Sequence, residues 1–384
     1  MGMLNKLTTF IAIISSLVGI FLSPIPRNLG LYRYAAKHIP QLIGLTPAFH
    51  HGIDWNYTYN ELYSTCHKIR GQKAIVTGAN SGVGFETCKA LAKCGVHVTM
   101  VCRNPIKCSS AAKQIKDIIN EGKCDIEGST DCANIITMTA DMSSLKSVKS
   151  FSKKYLEIHK ESSLDMLYLN AGIPARFPGD SFQVTEDGIE TIFATNYVGH
   201  HLMYRLLEPL ILRSKMARII QTSSAASFDS FPHKVATSLS QLNVEGKYDP
   251  ADMAYYGQSK LAQILWTKHL TNLLETSGNS NVYVNSLHPG AVATSIWDNL
   301  YRDGVPKFLK DFLDYAQSNV MWTCEEGALT QLFLGVAVDR IKKDSIRGKY
   351  FHPQVYEVTN HHALNETLQQ ELWDFSNELI SEFL

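Results

Sequence analysis

The chain has 384 residues, and its 36 basic and 36 acidic residues cancel to a formal net charge of zero. This balance argues against a polyanionic partner such as nucleic acid. The length favours one large α/β domain of about 250 to 310 residues with an N-terminal extension over two separate cores.

The extension begins with an apolar segment, residues 8–25, that carries almost no charge. It is close to the minimum length for a membrane-spanning helix, and no convincing small-x-small cleavage site precedes Pro24-Ile25-Pro26. We therefore expect an uncleaved membrane anchor over residues 1–28, with a cleaved signal peptide as the alternative. A single span and a hairpin in one leaflet both fit this segment, which suits the endoplasmic reticulum or a lipid droplet.

Residues 29–70 are expected to form an amphipathic linker between this anchor and a main domain over residues 71–384. Residues 29–49 are apolar and aromatic, and they could lie along the bilayer surface. A helix packed on the main domain is the alternative interpretation.

The charges around the anchor favour a main domain in the cytosol, because basic residues are more frequent after the segment than before it. Other features would fit a lumenal domain instead. These are two glycosylation sequons, at Asn56 and Asn365, and a bridge that Cys124 and Cys132 could form around a polar insertion.

A strand, a tight turn and a helix start are predicted in the next part of the chain. Residues 72–76 form a short apolar run, and residues 85–93 have the composition of a helix. Glycines between them would let the backbone approach a pyrophosphate, whose charge the helix N-terminus would receive. The predicted cofactor-binding residues here are Gly78, Asn80, Ser81, Gly82, Val83 and Gly84. Plain turn chemistry is the alternative.

The second predicted strand, residues 96–101, ends at Cys102-Arg103-Asn104. A carboxylate at this place would bond the 2′-hydroxyl of a ribose, and none is present. Arg103 can instead pair with a 2′-phosphate, so NADP(H) is preferred over NAD(H). The alternative is that Arg103 only faces solvent.

Tyr256 and Lys260 lie one helical turn apart further along the chain. At positions i and i+4 they project from the same helix face, so the ammonium could lower the pKa of the phenol and let it exchange a proton near neutral pH. The neighbouring Tyr255 is a competitor that lacks a lysine at i+4. Taken alone, the pair could also be an ordinary surface pair.

Taken in order, these motifs resemble the short-chain dehydrogenase/reductase family from about Gly71 to the C-terminus. Residues 77–87 and 259–265 are most similar to the retinol-dehydrogenase-like group and to the catalytic domain of the WW-domain-containing oxidoreductase. Trp55 is the only tryptophan before residue 70, so the paired tryptophans of WW modules are absent there and such modules are not expected. The resemblance implies a Rossmann-type doubly wound parallel sheet of about seven strands with helices on both faces, and the alternation of apolar runs with helical stretches predicts the same.

The resemblance extends to further residues that match the family's motifs. These are Asp141 with Met142 near the adenine ring, Asn170-Ala171-Gly172 along the cofactor cleft, Asn196 in the proton relay, Ser224 as the catalytic serine, and Pro289-Gly290 with Thr294 beside the nicotinamide.

The resemblance also implies a division of chemical roles. Tyr256 would give its proton to the substrate carbonyl, and Ser224 would hold and polarise that oxygen. Lys260 would lower the tyrosine pKa and bond the nicotinamide ribose. Asn196 would hold a water that links the lysine to solvent. The adjacent Ser223 is the competing serine.

The substrates that the resemblance implies are lipophilic alcohols and carbonyls of the retinoid, steroid or fatty aldehyde class. Aromatic residues of the C-terminal part could wall such a pocket or belong to the core: Trp297, Tyr301, Phe308, Phe312 and Trp322. A homodimer or tetramer through the helices that carry Asn196 and Tyr256 is also implied. The alternative function is a non-catalytic, nucleotide-binding membrane scaffold or redox sensor.

The eight cysteines form no evident metal array or disulfide framework, and most are expected to be reduced. Cys88, Cys94 and Cys102 are predicted to be small buried hydrophobes. No metal site is expected, and three histidines are interpreted as helix or loop residues: His200, His201 and His288.

Overall fold

The computed structural model describes residues 57–121, 133–174, 182–228, 235–244, 253–294, 310–311, 314 and 321–384. Several predictions fall outside these ranges: the anchor at 1–28, the linker up to residue 56, the first sequon asparagine, Cys124, Cys132, Trp297, Tyr301, Phe308 and Phe312. Within the described ranges, no helix has the length and apolar character needed to cross a membrane.

In the described part of the chain, eight strands form one sheet in the order β3-β2-β1-β4-β5-β6-β7-β8. The strands are β1 Lys73–Thr77, β2 His97–Cys102, β3 Ile135–Thr139, β4 Met166–Leu169, β5 Ala217–Thr222, β6 Val282–Leu287, β7 Tyr350–His352 and β8 Tyr356–Val358. The first seven run parallel, and only β8 pairs antiparallel with its neighbour β7. This confirms the predicted Rossmann-type sheet and adds one short antiparallel strand at its edge.

The helices cover both faces of the sheet. They are α1 Tyr59–Thr65, α2 Gly82–Lys93, α3 Pro105–Glu121, α4 Leu145–Ile158, α5 Gly199–Leu212, α6 Leu239–Leu242, α7 Met253–Thr276, α8 Cys324–Val336, α9 Val338–Lys343 and α10 Glu366–Ile380. Apolar residues of α2, α3 and α8 form the core on one face. Those of α4, α5, α7 and α10 form the core on the other.

The strand sequences explain why the sheet lies between two helical layers. All four residues of β4 and all six of β5 are buried, including the polar residues of β5. Strands covered on both faces have near-continuous apolar runs instead of the alternation of a half-exposed sheet. Because the strands are parallel, their carboxyl ends lie along the same edge of the sheet. The candidate active site lies at this edge.

The first described residues belong to the body of the domain. Tyr57 is buried with its ring 5.2 Å from that of Phe333, and Leu62 of α1 is fully buried. A reciprocal capping box between Thr58 and Glu61 starts α1. Tyr59 Oη donates to the carbonyl of Glu325 at the start of α8 (2.9 Å). Residues 57–65, at the end of the predicted linker, are thus packed on the main domain, whereas residues 29–49, for which a surface helix and a packed helix were the two interpretations, lie outside the described residues.

The last helix, α10, lies across α5 and α7. The hydroxyl of Tyr197, just before α5, contacts that of Ser376 (2.8 Å), and His201 Nε2 contacts Asn377 Oδ1 (3.2 Å). The Trp373 ring packs edge-on against His201 and also contacts His269 of α7, with centroids about 5 Å apart in each case. The long helices are therefore covered by a segment of the same chain.

The cysteines correct one prediction. No disulfide framework was evident and most cysteines were expected to be reduced, but Cys66 is joined to Cys94 and Cys102 to Cys108, whereas Cys88 and Cys324 are free. Packing of the segment after α1 against the end of α2 brings the first pair together, with a Cα separation of 4.9 Å. The second pair links the end of β2 to the first turn of α3.

Candidate active site

The turn between β1 and α2 is built by close backbone contacts. Gly78 has a φ of +66°, and a Cβ on it would lie 2.9 Å from the Cα of Ala171. Only glycine satisfies both requirements without strain. A Cβ on Gly84 would lie 2.6 Å from Asn170 Nδ2, so the helix start is pressed against the end of β4.

The other predicted residues of this turn shape the N-terminus of α2. Ser81 is exposed at the N-cap position, but its side chain makes no capping bond to the first helical turn. Val83 is buried, and Asn80 is half-buried. Because the first backbone N–H groups of a helix lack helical partners, this end is suited to an anion such as a pyrophosphate.

Thr77 joins the first strand to the Asn170-Ala171-Gly172 segment. Its Oγ1 accepts from the backbone N–H groups of Asn170 and Ala171, each at 2.9 Å, and Asn170 Nδ2 donates to the Thr77 carbonyl (2.9 Å). With two N–H donors already bound, the Thr77 hydroxyl is placed to donate to His200 Nε2 (3.0 Å). His200 then carries its proton on Nδ1 and donates to the Asn196 carbonyl (3.0 Å).

Thr77 and His200 are site residues that the sequence analysis missed as such. Burial lowers the pKa of His200 to about 4, so the ring is neutral and suited to this bridging role. The only sequence signal was a histidine four residues after the matched asparagine, which is not specific.

At the end of β2, where the adenosine end of the cleft is predicted, Arg103 is exposed and makes no hydrogen bond or ion pair with another described residue. Asp141 Oδ1 accepts from the backbone N and the hydroxyl of Ser143 (2.9 and 2.7 Å), which fixes the turn before α4. Met142 is buried beside it, with its carbonyl against Gly199. Asp141 is therefore committed to this turn, and the exposed Arg103 is the residue of this region left free to meet a ligand.

The loop after β6 folds back over the glycine turn. Gly290 has a φ of +99°, and a Cβ there would lie 2.8 Å from Trp322 Nε1. Thr294 Cγ2 lies 3.2 Å from the position of a Cβ on Gly82. The structure thus brings the predicted nicotinamide loop, Pro289-Gly290 with Thr294, against the predicted pyrophosphate turn. Trp322 is fully buried beneath this loop and belongs to the core.

The structure distinguishes Ser223 from Ser224 and Tyr255 from Tyr256. Ser223 is buried and donates to the Lys260 carbonyl (2.7 Å), so its hydroxyl is committed to the backbone of α7. Ser224 is more exposed, its hydroxyl accepts from the Ala226 N–H (3.2 Å), and it is close enough to the phenol of Tyr256 to lower the pKa of that group. The Tyr255 hydroxyl donates to the Val244 carbonyl, away from this pair. Ser224 and Tyr256 are therefore the hydroxyls that meet at the cleft.

Lys260 lies beneath Tyr256 and beside the cleft wall. Its Nζ donates to the Thr222 carbonyl (2.9 Å) and lies 5.4 Å from the centre of the Tyr256 ring. A Cβ on Gly172 would lie 3.5 Å from the same nitrogen. Burial lowers the pKa of Lys260 to about 7, because the charged ammonium loses its hydration.

The pKa of Tyr256 corrects a second prediction. Burial raises this pKa above its ordinary value of 10, and the hydrogen bond from Ser224 only partly opposes the rise. The expected lowering by Lys260 is not found. The reason is that the loss of hydration of the phenolate outweighs the attraction of a lysine that is itself buried and readily neutralised.

Asn196 lies at the centre of a π-helical turn, Ala194–Val198, that leads into α5. Such turns displace backbone groups from the regular helical pattern and are common at functional sites. The side chain of Asn196 accepts from the Ile173 N–H (2.8 Å) and donates to the Ile173 carbonyl (3.1 Å) and to Ser259 Oγ (3.0 Å). It therefore fixes the chain that follows Gly172 to α7.

The histidines serve as hydrogen-bonding or packing residues. His201 Nδ1 accepts from Trp266 Nε1 (2.9 Å), so its other nitrogen carries the proton toward Asn377. His288 is buried at the end of β6. Across the described ranges, no three His, Cys, Asp or Glu side chains come together as metal ligands would.

Comparison with known proteins agrees with this geometry. A family model described as short chain dehydrogenase matches residues 72–304. Retinol dehydrogenase 14 of Homo sapiens is 32% identical over 315 residues, which cover 81% of this chain and 87% of that protein. The WW domain-containing oxidoreductase of Gallus gallus is 31% identical over 317 residues, covering 82% of this chain and 70% of that protein.

Solved structures share the fold at lower identity. The Pseudomonas aeruginosa RhlG/NADP active-site complex matches with a TM-score of 0.53 and 20% identity, over 73% of this chain and 94% of that one. The 3-ketoacyl-(acyl-carrier-protein) reductase of Brucella melitensis complexed with NADH matches with a TM-score of 0.51 and 22% identity, over 73% and 96%. Both nicotinamide cofactors thus occur among the structural neighbours.

Proposed function

Since the chain belongs to the short-chain dehydrogenase family, we propose that it is an NADP(H)-dependent oxidoreductase that interconverts a lipophilic alcohol and its carbonyl. Membership makes it an enzyme that acts on CH–OH groups. The observation that carries the proposal is the convergence of Ser224, Tyr256 and Lys260 beside Gly172, because hydroxyl, phenol and ammonium meet where the cleft wall ends.

The cleft fits a dinucleotide on two structural grounds. The turn at Gly78 has no room for a side chain, so backbone can approach a ligand closely, and the start of α2 is not capped by Ser81. The residues that would hold the cofactor are the predicted set: Gly78, Asn80, Ser81, Gly82, Val83, Gly84, Arg103, Asp141, Met142, Asn170, Ala171, Gly172, Tyr256, Lys260, Pro289, Gly290 and Thr294. When bound, the nicotinamide group supplies or receives the hydride.

The side chains of the site move and hold the proton. In reduction, Tyr256 gives its hydroxyl proton to the substrate oxygen as that oxygen gains negative charge. Ser224 donates a hydrogen bond to the same oxygen and holds it in place. The Lys260 ammonium then stabilises the phenolate that remains. Oxidation uses the same groups in reverse.

The cofactor preference rests on Arg103. Its guanidinium is exposed at the end of β2 and has no acidic partner among the described residues, so it can pair with a 2′-phosphate. The residues beside it, Cys102 and Asn104, carry no charge that would repel that phosphate. These features support NADP(H) over NAD(H).

The substrate class rests on the relatives and on the N-terminal segment. Several similar proteins are named retinol dehydrogenases, which supports retinoid, steroid or fatty aldehyde substrates. The apolar residues 8–25 support attachment to the endoplasmic reticulum or a lipid droplet through residues 1–28. The charges beside this segment support an enzyme domain in the cytosol, whereas the two disulfides are typical of an oxidising compartment. A lipophilic substrate would then enter from the membrane side.

The test is turnover of NADPH and NADH by detergent-solubilised protein with retinaldehydes, steroid ketones and long-chain aldehydes. Tyr256→Phe should lower kcat by about 10²-fold or more, since the proton donor is lost, and should still bind nucleotide through the rest of the cofactor-binding set. The matched control is Tyr255→Phe, which removes a hydroxyl bonded to Val244 and should keep most of the activity. Tight nucleotide binding without turnover of any substrate by the wild-type protein would favour the scaffold function instead.

A further inference from the structure

Asn365 lies on the surface of the protein, at the start of the last long helix. It is the N-cap residue of α10 and begins the sequence Asn365-Glu366-Thr367, in which all three residues are exposed. The turn before it is fixed on its inner side, where the buried Asn360 donates from Nδ2 to Ser227 Oγ (3.2 Å). The sequence is therefore presented to solvent from a firmly held turn.

The two polar atoms of the Asn365 side chain differ in what they do. Oδ1 accepts from the backbone N–H of Leu368 (3.0 Å) and so caps the first turn of α10. Nδ2 makes no hydrogen bond to any described residue. A substituent on Nδ2 would replace one of its hydrogens and leave Oδ1 in the cap. The side chain can therefore be modified at its nitrogen without loss of the helix start.

Thr367 completes a sequence that is read by a modifying enzyme. Asparagine followed by any residue except proline and then by serine or threonine is the acceptor for N-linked oligosaccharides, which are bulky and need a surface position. The Thr367 hydroxyl is exposed and makes no hydrogen bond to another described residue. Both side chains of the acceptor sequence are thus accessible, and neither Nδ2 of Asn365 nor the Thr367 hydroxyl has a role inside the fold.

The two disulfides are a second, independent observation on where this domain folds. Disulfides form and persist in secretory compartments and outside the cell, and they are rare in the cytosol, where thiol systems keep cysteines reduced. The four paired residues are at most 4% exposed: Cys66, Cys94, Cys102 and Cys108. Redox-sensing cysteines are solvent-accessible, so these buried pairs are structural bridges. They indicate an oxidising compartment, which is also where N-linked oligosaccharides are added.

The charges around residues 8–25 are weaker evidence on this point. Lys6 precedes the segment, and Arg27, Arg33 and Lys37 follow it, so the excess that favours the cytosol is small. A cleaved signal peptide, the alternative for this segment, would deliver the domain to the lumen whatever these charges are. The disulfides therefore decide between the two sides of the membrane.

We propose that the enzyme domain lies in the lumen of a secretory compartment and carries an N-linked oligosaccharide on Asn365. The donor is an oligosaccharide attached to a lipid diphosphate. Asn365 Nδ2 forms a bond to the anomeric carbon of the first sugar, the bond from that carbon to the diphosphate breaks, and the nitrogen gives up one proton. No electrons are exchanged with another molecule. This inference goes beyond the proposed function and does not depend on it, because the hydride and proton chemistry is the same on either side of the membrane.

The test is the electrophoretic mobility of the full-length protein from cultured eukaryotic cells, before and after treatment with peptide-N-glycosidase. The wild-type protein should migrate faster after treatment. Asn365→Asp keeps a side-chain oxygen for the cap of α10 but has no amide nitrogen. Before treatment it should therefore migrate faster than the wild-type protein by one glycan.

Thr367→Ala and Thr367→Ser form a matched pair, since both change an exposed side chain that makes no hydrogen bond to a described residue. Thr367→Ala removes the hydroxyl that the transferase requires and should lose one glycan, whereas Thr367→Ser should keep it. Asn56→Gln is the control for the other sequon, and the glycan that depends on Asn365 should persist in it. The oligosaccharide is added during synthesis, so a variant that folds poorly still reports on the site.

Two outcomes would overturn the proposal. One is a wild-type protein whose mobility the glycosidase does not change. The other is a mobility change that Asn365→Asp and Thr367→Ala leave intact, which would place the glycan elsewhere. A protein that is glycosylated on Asn365 but turns over no substrate would support this inference and defeat the proposed function alone.

Discussion

Tyr256 and Lys260 show how strongly burial controls ionisation at this site. Loss of hydration raises the pKa of the phenol and lowers that of the ammonium to about 7, so both neutral forms are favoured near neutral pH. Burial thereby pulls the two pKa values apart, so a proton passes readily from the Lys260 ammonium to a Tyr256 phenolate, and the reverse transfer is costly. This order favours reprotonation of Tyr256 after it has given up its proton.

Arg103 carries the prediction on cofactor choice. Arg103→Ala should raise the dissociation constant for NADPH about ten-fold or more, because a charge-assisted hydrogen bond contributes about 1.5–3 kcal/mol. The constant for NADH, which lacks the 2′-phosphate, should hardly change. Isothermal titration with both nucleotides gives the two values.

The control for this prediction is Lys107→Ala, which removes an exposed positive charge from the first turn of α3. Lys107→Ala should raise the dissociation constant for NADPH much less than Arg103→Ala does. If Arg103→Ala raised the dissociation constants for NADPH and NADH equally, Arg103 would not bind the 2′-phosphate.

For individual residues, the sequence predicted which residues belong to the candidate site better than it predicted their hydrogen-bond partners. The order of motifs predicted Tyr256 and Lys260, but the choice between Ser223 and Ser224 depends on which hydroxyl faces the backbone of α7, and no local pattern reports this. The bond between Thr77 and His200 joins residues 123 positions apart and has no sequence signature. The direction of the Tyr256 pKa depends on burial, which i, i+4 spacing does not reveal.

Among the elements, α10 is distinctive because it covers α5 and α7, the helices through which a homodimer or tetramer was expected. Tyr197 and His201 are buried and contact α10 directly, through Ser376, Asn377 and Trp373. An assembly through this face would have to displace α10. We therefore propose that the chain does not associate through these two helices.

Phe375 tests how firmly α10 is attached. It is 4% exposed in the core beneath the helix, so Phe375→Ala should lower the free energy of unfolding by about 3–5 kcal/mol through the loss of apolar contacts and the cavity left behind. Urea unfolding followed by circular dichroism measures this. Glu371→Ala, on the exposed face of the same helix, should change stability by less than about 0.5 kcal/mol. Similar small effects of both variants would mean that α10 is loosely held.

The elements themselves were largely predictable from local sequence. Apolar runs bounded by turn residues indicated the strands, and the capping residues Ser144 and Thr323 stand where α4 and α8 begin. What α1 and α10 pack against was not predictable, because an apolar helix face shows only that it needs a partner. The disulfides were missed for the same reason, since Cys66 meets Cys94 only after α1 has packed.

For the whole molecule, neutral buried histidines set the stability in acid. Burial lowers the pKa of His200 to about 4 and those of His201 and His288 to about 3, below the ordinary 6.5 of the unfolded chain. Between those values the unfolded state binds more protons, so the free energy of unfolding falls as the pH drops below 6.5. Each such histidine contributes about 1.4 kcal/mol per pH unit to that slope.

Urea unfolding at pH 6.5, 5.5 and 4.5 checks this slope. In His201→Gln, the free energy of unfolding should fall less steeply with decreasing pH than in the wild-type protein, by about 1.4 kcal/mol per pH unit. The reason is that one proton-binding group is gone from the unfolded chain, while carboxylates titrate alike in both proteins. Equal slopes for the two proteins would show that His201 is not held neutral by the fold.

The cleft lies where the strand order reverses, between β1 and β4, so residues from both halves of the sheet line it. A ligand that binds only the folded protein adds to its stability in proportion to the logarithm of its concentration, about 2.7 kcal/mol when the free ligand is about one hundred times Kd. A dinucleotide in this cleft would thus contact both halves of the sheet at once and stabilise their association. The heat resistance of the purified protein, and its lifetime in a cell, would then follow the supply of its own cofactor.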